Sequence, residues 1–418
     1  MIRAAIEQLS WRFAKLWAAG TTSALGSGLT LVAGPLLVAA HTSDPLLVSG
    51  VSAVSWLPWL LFALPGGVLV DRVDRRRLML VIDWVRVAAM AVLTVAVATG
   101  QAVIPALYAV LFIINAGEIV FRSASQAMVP AVVPREGLER ANGWLQGGET
   151  LTGNMVAGPL GGFLFAVAVS LPFLANAITY AVSAVLIGLV AGSYRPQNAR
   201  AAAAGAGRVR SVWADVGEGF SWLLGQRLLR TMAVLIGLLN VTLTAALAVL
   251  VLLARERLHL GSVGYGLLFT SMAVGSLLGA ALGDRLIRWV TATWTIRIGL
   301  LVEAATHLAL AASASWLVVG IALFAFGVHS SLWNIVGNSL RQRLTPPSML
   351  GRAGSTTLFI AAGGNCVGAL LGGAIATRFG VTAPYWTGFA VALIVAALTW
   401  RVFSRDTVAS AYAEPAPA

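Results

Sequence analysis

Charge is scarce in this chain, and so is sulfur. Only 11% of the 418 residues are Asp, Glu, Lys or Arg, against roughly 25% in soluble domains, which argues against a large soluble enzyme. Cys366 is the single cysteine, so neither an intrachain disulfide nor a thiolate metal centre can be built. Lysine occurs once, at Lys15, the other basic residues being arginine; this reads as coding bias and decides nothing about chemistry. There is no His-Glu-x-x-His helix, no Gly-x-Ser-x-Gly elbow and no Gly-x-x-x-x-Gly-Lys-Ser/Thr loop, which speaks against a zinc protease, a serine hydrolase and an ATP-driven machine. What is plentiful is apolar surface. At 58% hydrophobic, the chain supplies roughly 240 apolar residues, enough for about twelve membrane-spanning helices of about 20 residues each.

Apolar runs of spanning length fall near 13–40, 46–70, 77–99, 102–125, 141–167 and 169–192, and again near 227–254, 261–283, 291–312, 315–340, 348–376 and 380–402. The net charge of +12 is not gathered on one soluble face, so it does not describe a nucleic-acid binder. It describes topology. With both termini in the cytoplasm, only Arg255, Arg257 and Arg378 face outward, as the positive-inside rule demands of a bacterial plasma-membrane protein. The basic N-terminus followed by an apolar run resembles a signal peptide, but the run exceeds the 7–15 residues of a signal core, and an uncleaved first span is expected.

Six spans over 1–192 and six over 227–403 define two domains. Residues 193–226 join them as a cytoplasmic linker. It opens with the Ala201 to Gly207 connector; then Val212, Trp213, Val216, Phe220, Leu223 and Leu224 recur at helical spacing. They suit an amphipathic helix on the membrane surface or an extension of the seventh span. The Ala/Pro-rich tail at 404–418 is expected to be disordered.

The halves repeat. Gly66 to Arg72 with Arg75 matches Gly279 to Arg285 with Arg288 at an offset of 213. Pro134, Leu138, Arg140 and Ala141 match Pro346, Leu350, Arg352 and Ala353 at 212, and Gly161-Gly162 matches Gly372-Gly373 at 211. Three matches in register point to duplication of a six-helix unit. Two related bundles imply a pocket between them that opens to each side in turn.

Gly66-x-x-x-x-Asp71-Arg72-x-x-Arg75-Arg76 resembles the signature loop of the major facilitator superfamily, and the resemblance covers essentially the whole chain. Met128-Val129-Pro130, Pro134-Arg135-Glu136, Leu138, Ala141-Asn142, Gly158 to Gly162 and Asn176-Ala177 resemble its drug and siderophore exporters, the enterobactin-exporter-like and macrolide-efflux-like members. The resemblance implies an all-α membrane protein with twelve transmembrane helices in two pseudo-symmetric six-helix bundles, the major facilitator fold. It implies a monomeric secondary transporter that exports a small molecule by alternating access as a proton antiporter, without cofactor or metal. Siderophore or natural-product export and import in the same fold are the nearest alternatives; a transporter-like sensor and a membrane enzyme are more distant ones.

The gating loops would be Gly66, Gly67, Asp71, Arg72, Arg75 and Arg76, with Asp284, Arg285 and Arg288 as their copy. Small glycines allow close helix approach, and Asp71 can accept hydrogen bonds from a helix N-terminus of the other half. The arginines would then pair with carboxylates and lipid phosphates, or serve only as topology determinants. In the fifth span, Gly158, Pro159, Gly161 and Gly162 favour close packing or a bend, while Asn154 stands where the family's antiporter motif would have glycine.

Ionisable groups at membrane depth cost enough to require a partner or a function. Glu149, with no cation within a turn on its own helix, is the leading proton-coupling candidate, followed by His329 and Glu118. A structural carboxylate is the alternative for Glu149, and a hydrogen-bonded histidine for His329. Asp83, Arg86 and Arg122 are expected to form a charge network with Glu118, and Glu303 with His307 a local pair. Asn115, Asn154, Asn240, Thr244, Asn334 and Asn338 are candidate cavity-wall groups. With Trp17, Phe112, Phe324, Phe326 and Trp333 on the cavity spans and little fixed positive charge, the expected substrate is hydrophobic or amphiphilic, neutral or cationic.

Overall fold

The computed structural model describes residues 10–70, 72–192, 194, 208–347 and 349–403, with the backbone alone described at 63–69, 208–213 and 215. Asp71, the Ala201 to Gly207 connector and the 404–418 tail lie outside the described residues. Among the described residues every regular element is a helix. Eleven helical stretches are long and apolar enough to cross a membrane, and the 17-residue Ala383–Thr399 is a shorter apolar twelfth.

The first bundle runs α1 (Trp11–His41), α2 (Pro45–Val70), α3 (Arg75–Thr99), α4 (Val103–Val132), α5 (Leu138–Glu149), α6 (Ala157–Val167) and α7 (Leu171–Gly188). After the linker helix α8 (Arg208–Gly225) come α9 (Arg227–Ala248), α10 (Leu250–Glu256), α11 (Ser262–Val290), α12 (Ala292–Ala312), α13 (Trp316–Leu344), α14 (Leu350–Phe379) and α15 (Ala383–Thr399). Local chemistry sets the ends. Asp44 accepts the Leu46 amide at 2.8 Å where α2 begins, Asp74 accepts the Arg77 amide at 3.0 Å to cap α3, and Gly100, at φ 72°, ends α3 in the left-handed conformation that glycine adopts without strain.

Three elements differ from the apolar-run reading. α4 reaches Val132 and α11 reaches Val290, because a helix continues past the hydrocarbon core into the interface, where polar residues are tolerated. The fifth span is two helices, α5 and α6, joined by a π-helical turn at Thr150–Val156. Pro159 lies just beyond that turn; its ring lacks an amide and crowds the carbonyl four residues back, at Met155, and a wider turn relieves both. Of the two alternatives for the linker, extension of the seventh span is the one that fails: Gln226 is extended at φ −98°, ψ 103° before α9 starts, so α8 is a helix of its own. Val216 and Leu223 are buried, and Arg352 of α14 bonds Glu218 at 2.8 Å.

The chain divides into two compact units that do not simply follow its halves. Unit one comprises Met1–Val38, Leu57–Val212 and Ser262–Gly266; unit two comprises Ala39–Trp56, Trp213–Gly261 and Leu267–Ala418. In unit one, Phe13, Leu16, Met79, Phe121, Met128 and Ile187 share a core. In unit two, Leu235, Ile296, Leu300, Val336, Leu340 and Phe403 do so.

Glycines set the closest approaches. In unit two, a Cβ at Gly364, Gly368 or Gly372 would stand 2.6, 2.3 or 2.4 Å from the carbonyl oxygen of Gly237, Val241 or Ala245. Residues four apart on α14 thus lie directly on α9, as small-residue seams in membranes do. The repeated pairs do equivalent work: Gly161 meets Leu29 of α1 and Gly162 meets Ser262 in unit one, while Gly372 meets Ala245 of α9 and Gly373 meets Leu46 and Ser49 in unit two.

Candidate functional site

Unit one carries a ladder of alternating charge across α3, α4 and the end of α5. Arg86 lies 3.4 Å from Asp83 and 2.9 Å from Glu118. Arg122 lies 3.8 Å from Glu118 and bonds Glu149. Three carboxylates thus share two guanidiniums. One end is sealed: Asp83 and Arg86 are 0% exposed. The other is reachable, with Arg122 at 43% and Glu149 at 26%.

The helices hold the ladder by packing and by hydroxyls. Ser183 donates to Asp83 at 2.7 Å, Ser27 lies 3.4 Å from Glu118 and 3.1 Å from the Tyr180 hydroxyl, and the Arg86 guanidinium stacks on Phe121 and Tyr180 at 5.3 and 5.0 Å. Gly117 leaves room for Arg86, whose Nε lies 2.9 Å from where a Cβ would be. Asp83 and Arg86 face inward on α3 while Val81, Trp84, Val85, Val92 and Val95 face out. This helix buries polar groups and exposes apolar ones, the arrangement lipid requires.

One expectation needs correction here. Glu149 is not a carboxylate without a cation: the cation comes from another helix, Arg122, 27 residues earlier. Glu149 also ends α5 immediately before the π-helical turn, where Thr152 donates to the carbonyls of Thr21 and Gly148 at 2.9 Å. Asn154, in the same turn, is exposed. Gly158, Gly161 and Gly162 are buried, and a Cβ at Gly266 would fall 2.1 Å from the Gly158 carbonyl.

The loop between α2 and α3 is tied down differently from the expected pairing with carboxylates and lipid phosphates. Arg75 donates to the Ala127 carbonyl at 3.0 Å and Arg76 Nε to the Ile187 carbonyl at 3.1 Å. Lys15 donates to Leu189 at 2.7 Å. Two cations therefore cover the C-terminal end of α7, whose carbonyls carry the negative end of the helix dipole. Asp74, which sequence reasoning passed over, accepts the Tyr194 amide at 2.9 Å. Arg72 is described with its backbone in the turn, and Gly66 and Gly67 lie on α2. Their copy is not a loop at all: Asp284, Arg285 and Arg288 ride on α11 and are exposed.

Unit two holds a chamber of about 490 Å³. Asn240 of α9, Glu303 of α12, Phe326, His329, Trp333, Asn334, Asn338 and Arg341 of α13, and Thr357 of α14 line it. His329 sits edge-on between Phe326 and Trp333, with ring centroids at 6.1 and 6.2 Å. Gly299 of α12 makes room for that ring, since a Cβ there would be 2.1 Å from His329 Cε1. The side-chain amides of Asn240 and Asn334 donate to the carbonyls one turn back, Ile236 and Ser330, at 2.7 and 2.9 Å, so their oxygens are the free acceptors of the wall. Asn338 accepts from Arg341 at 2.9 Å.

Three of the expected wall groups are not among the residues lining this chamber. Asn154 is exposed in the π-helical turn of unit one. Thr244 donates to Asn365 of α14 at 2.7 Å, and Asn115 in unit one donates to the Leu111 carbonyl at 2.8 Å. Glu303 was read as half of a local pair with His307, and it does lie 3.8 Å from His307 Nδ1; the structure places it in the chamber wall as well. The available signal was its spacing: Gly299, Glu303 and His307 recur every four residues, so they share one stripe of α12.

Twelve apolar helical stretches, glycine contacts repeated between the halves and a polar chamber among apolar helices are features of the major facilitator architecture. Solved structures agree on the fold. A bacterial homologue of the iron transporter ferroportin in its inward-facing state aligns with a TM-score of 0.73 at 17% identity, over 94% of this chain and 99% of that one. The nucleoside transporter NupG aligns at 0.71 and 11% identity, over 94% and 99%. Residues 8–416 match the family described as transmembrane secretion effector, and the chain belongs to that family. Macrolide efflux protein A of Streptococcus pyogenes is 30% identical over 135 residues, 32% of this chain and 33% of that protein. The protein of the same name from Enterococcus faecalis is 34% identical over 100 residues, 24% and 31% of the respective chains. The match thus spans about a third of the length of these relatives.

Proposed function

We propose that the protein exports a small hydrophobic or amphiphilic compound, neutral or cationic, in exchange for protons. Both termini lie in the cytoplasm, and the two repeats open the route to each side in turn. The likeness to macrolide efflux proteins supports outward movement of such compounds, and the aromatic and amide walls of the chamber in unit two suit them.

The ladder in unit one is the observation that carries the coupling. Three carboxylates and two guanidiniums leave one uncompensated negative charge, and a charge at membrane depth is costly unless neutralised. A proton does that. It enters at the reachable end, on Glu149; Arg122, released from Glu149, is then held by Glu118 alone, and Arg86 shifts its share toward Asp83. Protonation at one end therefore changes the pairing along α4 and α3.

Transport in proteoliposomes under an imposed pH gradient tests this. Glu149→Gln is expected to abolish gradient-driven efflux while sparing substrate exchange at equal pH, because only the proton step is removed. If the variant still concentrates substrate in response to the gradient, Glu149 is not the coupling residue.

A further inference from the structure

Among the described residues two carboxylates are buried, Asp83 and Glu303. Asp83 has Arg86 and Ser183. Glu303 has neither arginine nor hydroxyl: it is 3% exposed, its Oε1 makes no hydrogen bond, and its nearest ionisable neighbour is His307 Nδ1 at 3.8 Å. That nitrogen already lies 3.0 Å from the Glu303 main-chain carbonyl, so the ring serves the backbone of α12 and leaves the carboxylate unsatisfied.

The position is central. Glu303 stands eleven residues into α12, about 17 Å along the helix axis at 1.5 Å per residue. Arg297, on the same helix, is turned away: it donates to the Trp400 carbonyl at 2.8 Å and stacks on Trp294 and Trp400. In the chamber wall, Arg341 bonds Asn338 and lies twelve residues from His329 on α13, about 18 Å away along that helix. The chamber is thus acidic at Glu303 and basic only towards the end of α13.

An ionised carboxylate buried without a donor keeps its full desolvation cost, and a cation arriving beside it removes that cost. The surrounding walls are what a lipophilic cation would want. Phe326 and Trp333 each meet the His329 ring edge-on, Leu239 and Leu243 also line the chamber, and aromatic faces attract positive charge.

We propose that Glu303 is the subsite for the positive charge of a lipophilic organic cation bound in the chamber of unit two, its apolar body lying among Phe326, Trp333 and Leu243. This rests on the chain being a transporter of amphiphilic compounds and names the charge that it selects. Glu303 recognises; the ladder in unit one couples.

Equilibrium dialysis on the purified full chain in a neutral maltoside detergent tests it without any gradient. Tetraphenylphosphonium and tetraphenylborate share shape and hydrophobicity and differ in sign. Tetraphenylphosphonium is expected to bind and tetraphenylborate not. Glu303→Gln is expected to weaken tetraphenylphosphonium by roughly tenfold or more, as the loss of a desolvated charge pair does, and Glu303→Asp to retain most of the affinity. Equal binding of the two ions by the unaltered protein, or unchanged tetraphenylphosphonium affinity in a folded Glu303→Gln variant, overturns the proposal. Should Glu303→Gln fail to fold, the selectivity of the unaltered protein and the Glu303→Asp affinity decide it. Because binding needs no proton gradient, this result stands apart from the fate of Glu149 as coupling residue.

Discussion

Arg86 shows what a single side chain does in this fold. It is fully buried, yet it touches two carboxylates, Ser23 at 3.4 Å and two aromatic rings. Removing one member of a buried charge cluster leaves the others uncompensated, at a cost of about 3–5 kcal/mol. Arg86→Gln is therefore expected to lower the unfolding temperature in detergent sharply. Adding Glu118→Gln should restore part of the loss, because the stranded charge is removed too; scanning fluorimetry of the two single variants and the double variant reads the coupling. If the double variant is as unstable as the sum of the singles, the pair is not energetically linked. The sequence made the members of this cluster visible, since charge within apolar runs is rare. Their membership in one network was legible, but individual pairs followed from local pattern only within a helix. Asp83 with Arg86 and Glu118 with Arg122 follow from spacings of three and four, whereas Arg122 with Glu149 depends on how α4 and α5 pack, which no local pattern encodes.

At the scale of elements, apolar runs located the helices well because lipid demands length and hydrophobicity together. They were blind to what happens inside a helix: the π-helical turn at Thr150–Val156 carries no charge to mark it. They also misplaced ends where polar residues continue a helix beyond the core, which turned the Asp284, Arg285 and Arg288 segment of α11 into a supposed loop. The glycine seam of α14 offers a direct check. A Cβ at Gly368 would meet the Val241 carbonyl at 2.3 Å, whereas one at Gly147 in α5 would meet nothing within 4 Å. Gly368→Ala is expected to destabilise by about 1–3 kcal/mol through forced separation of α9 and α14. Gly147→Ala is expected to be neutral or to stabilise by up to about 1 kcal/mol, since alanine lowers the entropy of the unfolded chain. Thermal unfolding of the pair measures both, and equal effects would mean that the seam does not set the helix separation.

For the whole molecule, the repeat and the scarcity of cysteine combine into one experiment. Gly161 packs on Leu29 and Gly372 on Ala245, each within its own repeat, while Gly162 and Gly373 pack on residues of the other repeat, Ser262 and Leu46 with Ser49; rocking of two bodies is how transporters of this architecture expose a site to alternate sides. Cys366 is buried, its Sγ 3.9 Å from the Ala53 carbonyl, so Cys366→Ser gives a background without thiols at the loss of one weak contact. On that background, Asn240→Cys and Asn334→Cys each place a thiol in the chamber wall of unit two. A membrane-impermeant maleimide is expected to reach both positions from the cytoplasmic face of oriented vesicles in one condition. It should reach them from the opposite face when a pH gradient or a saturating lipophilic cation is imposed. The two positions should switch together, since a rigid unit carries them. Labelling that stays on one face under every condition would remove alternating access from the account, and switching at only one of the two positions would replace the rigid body with a local gate.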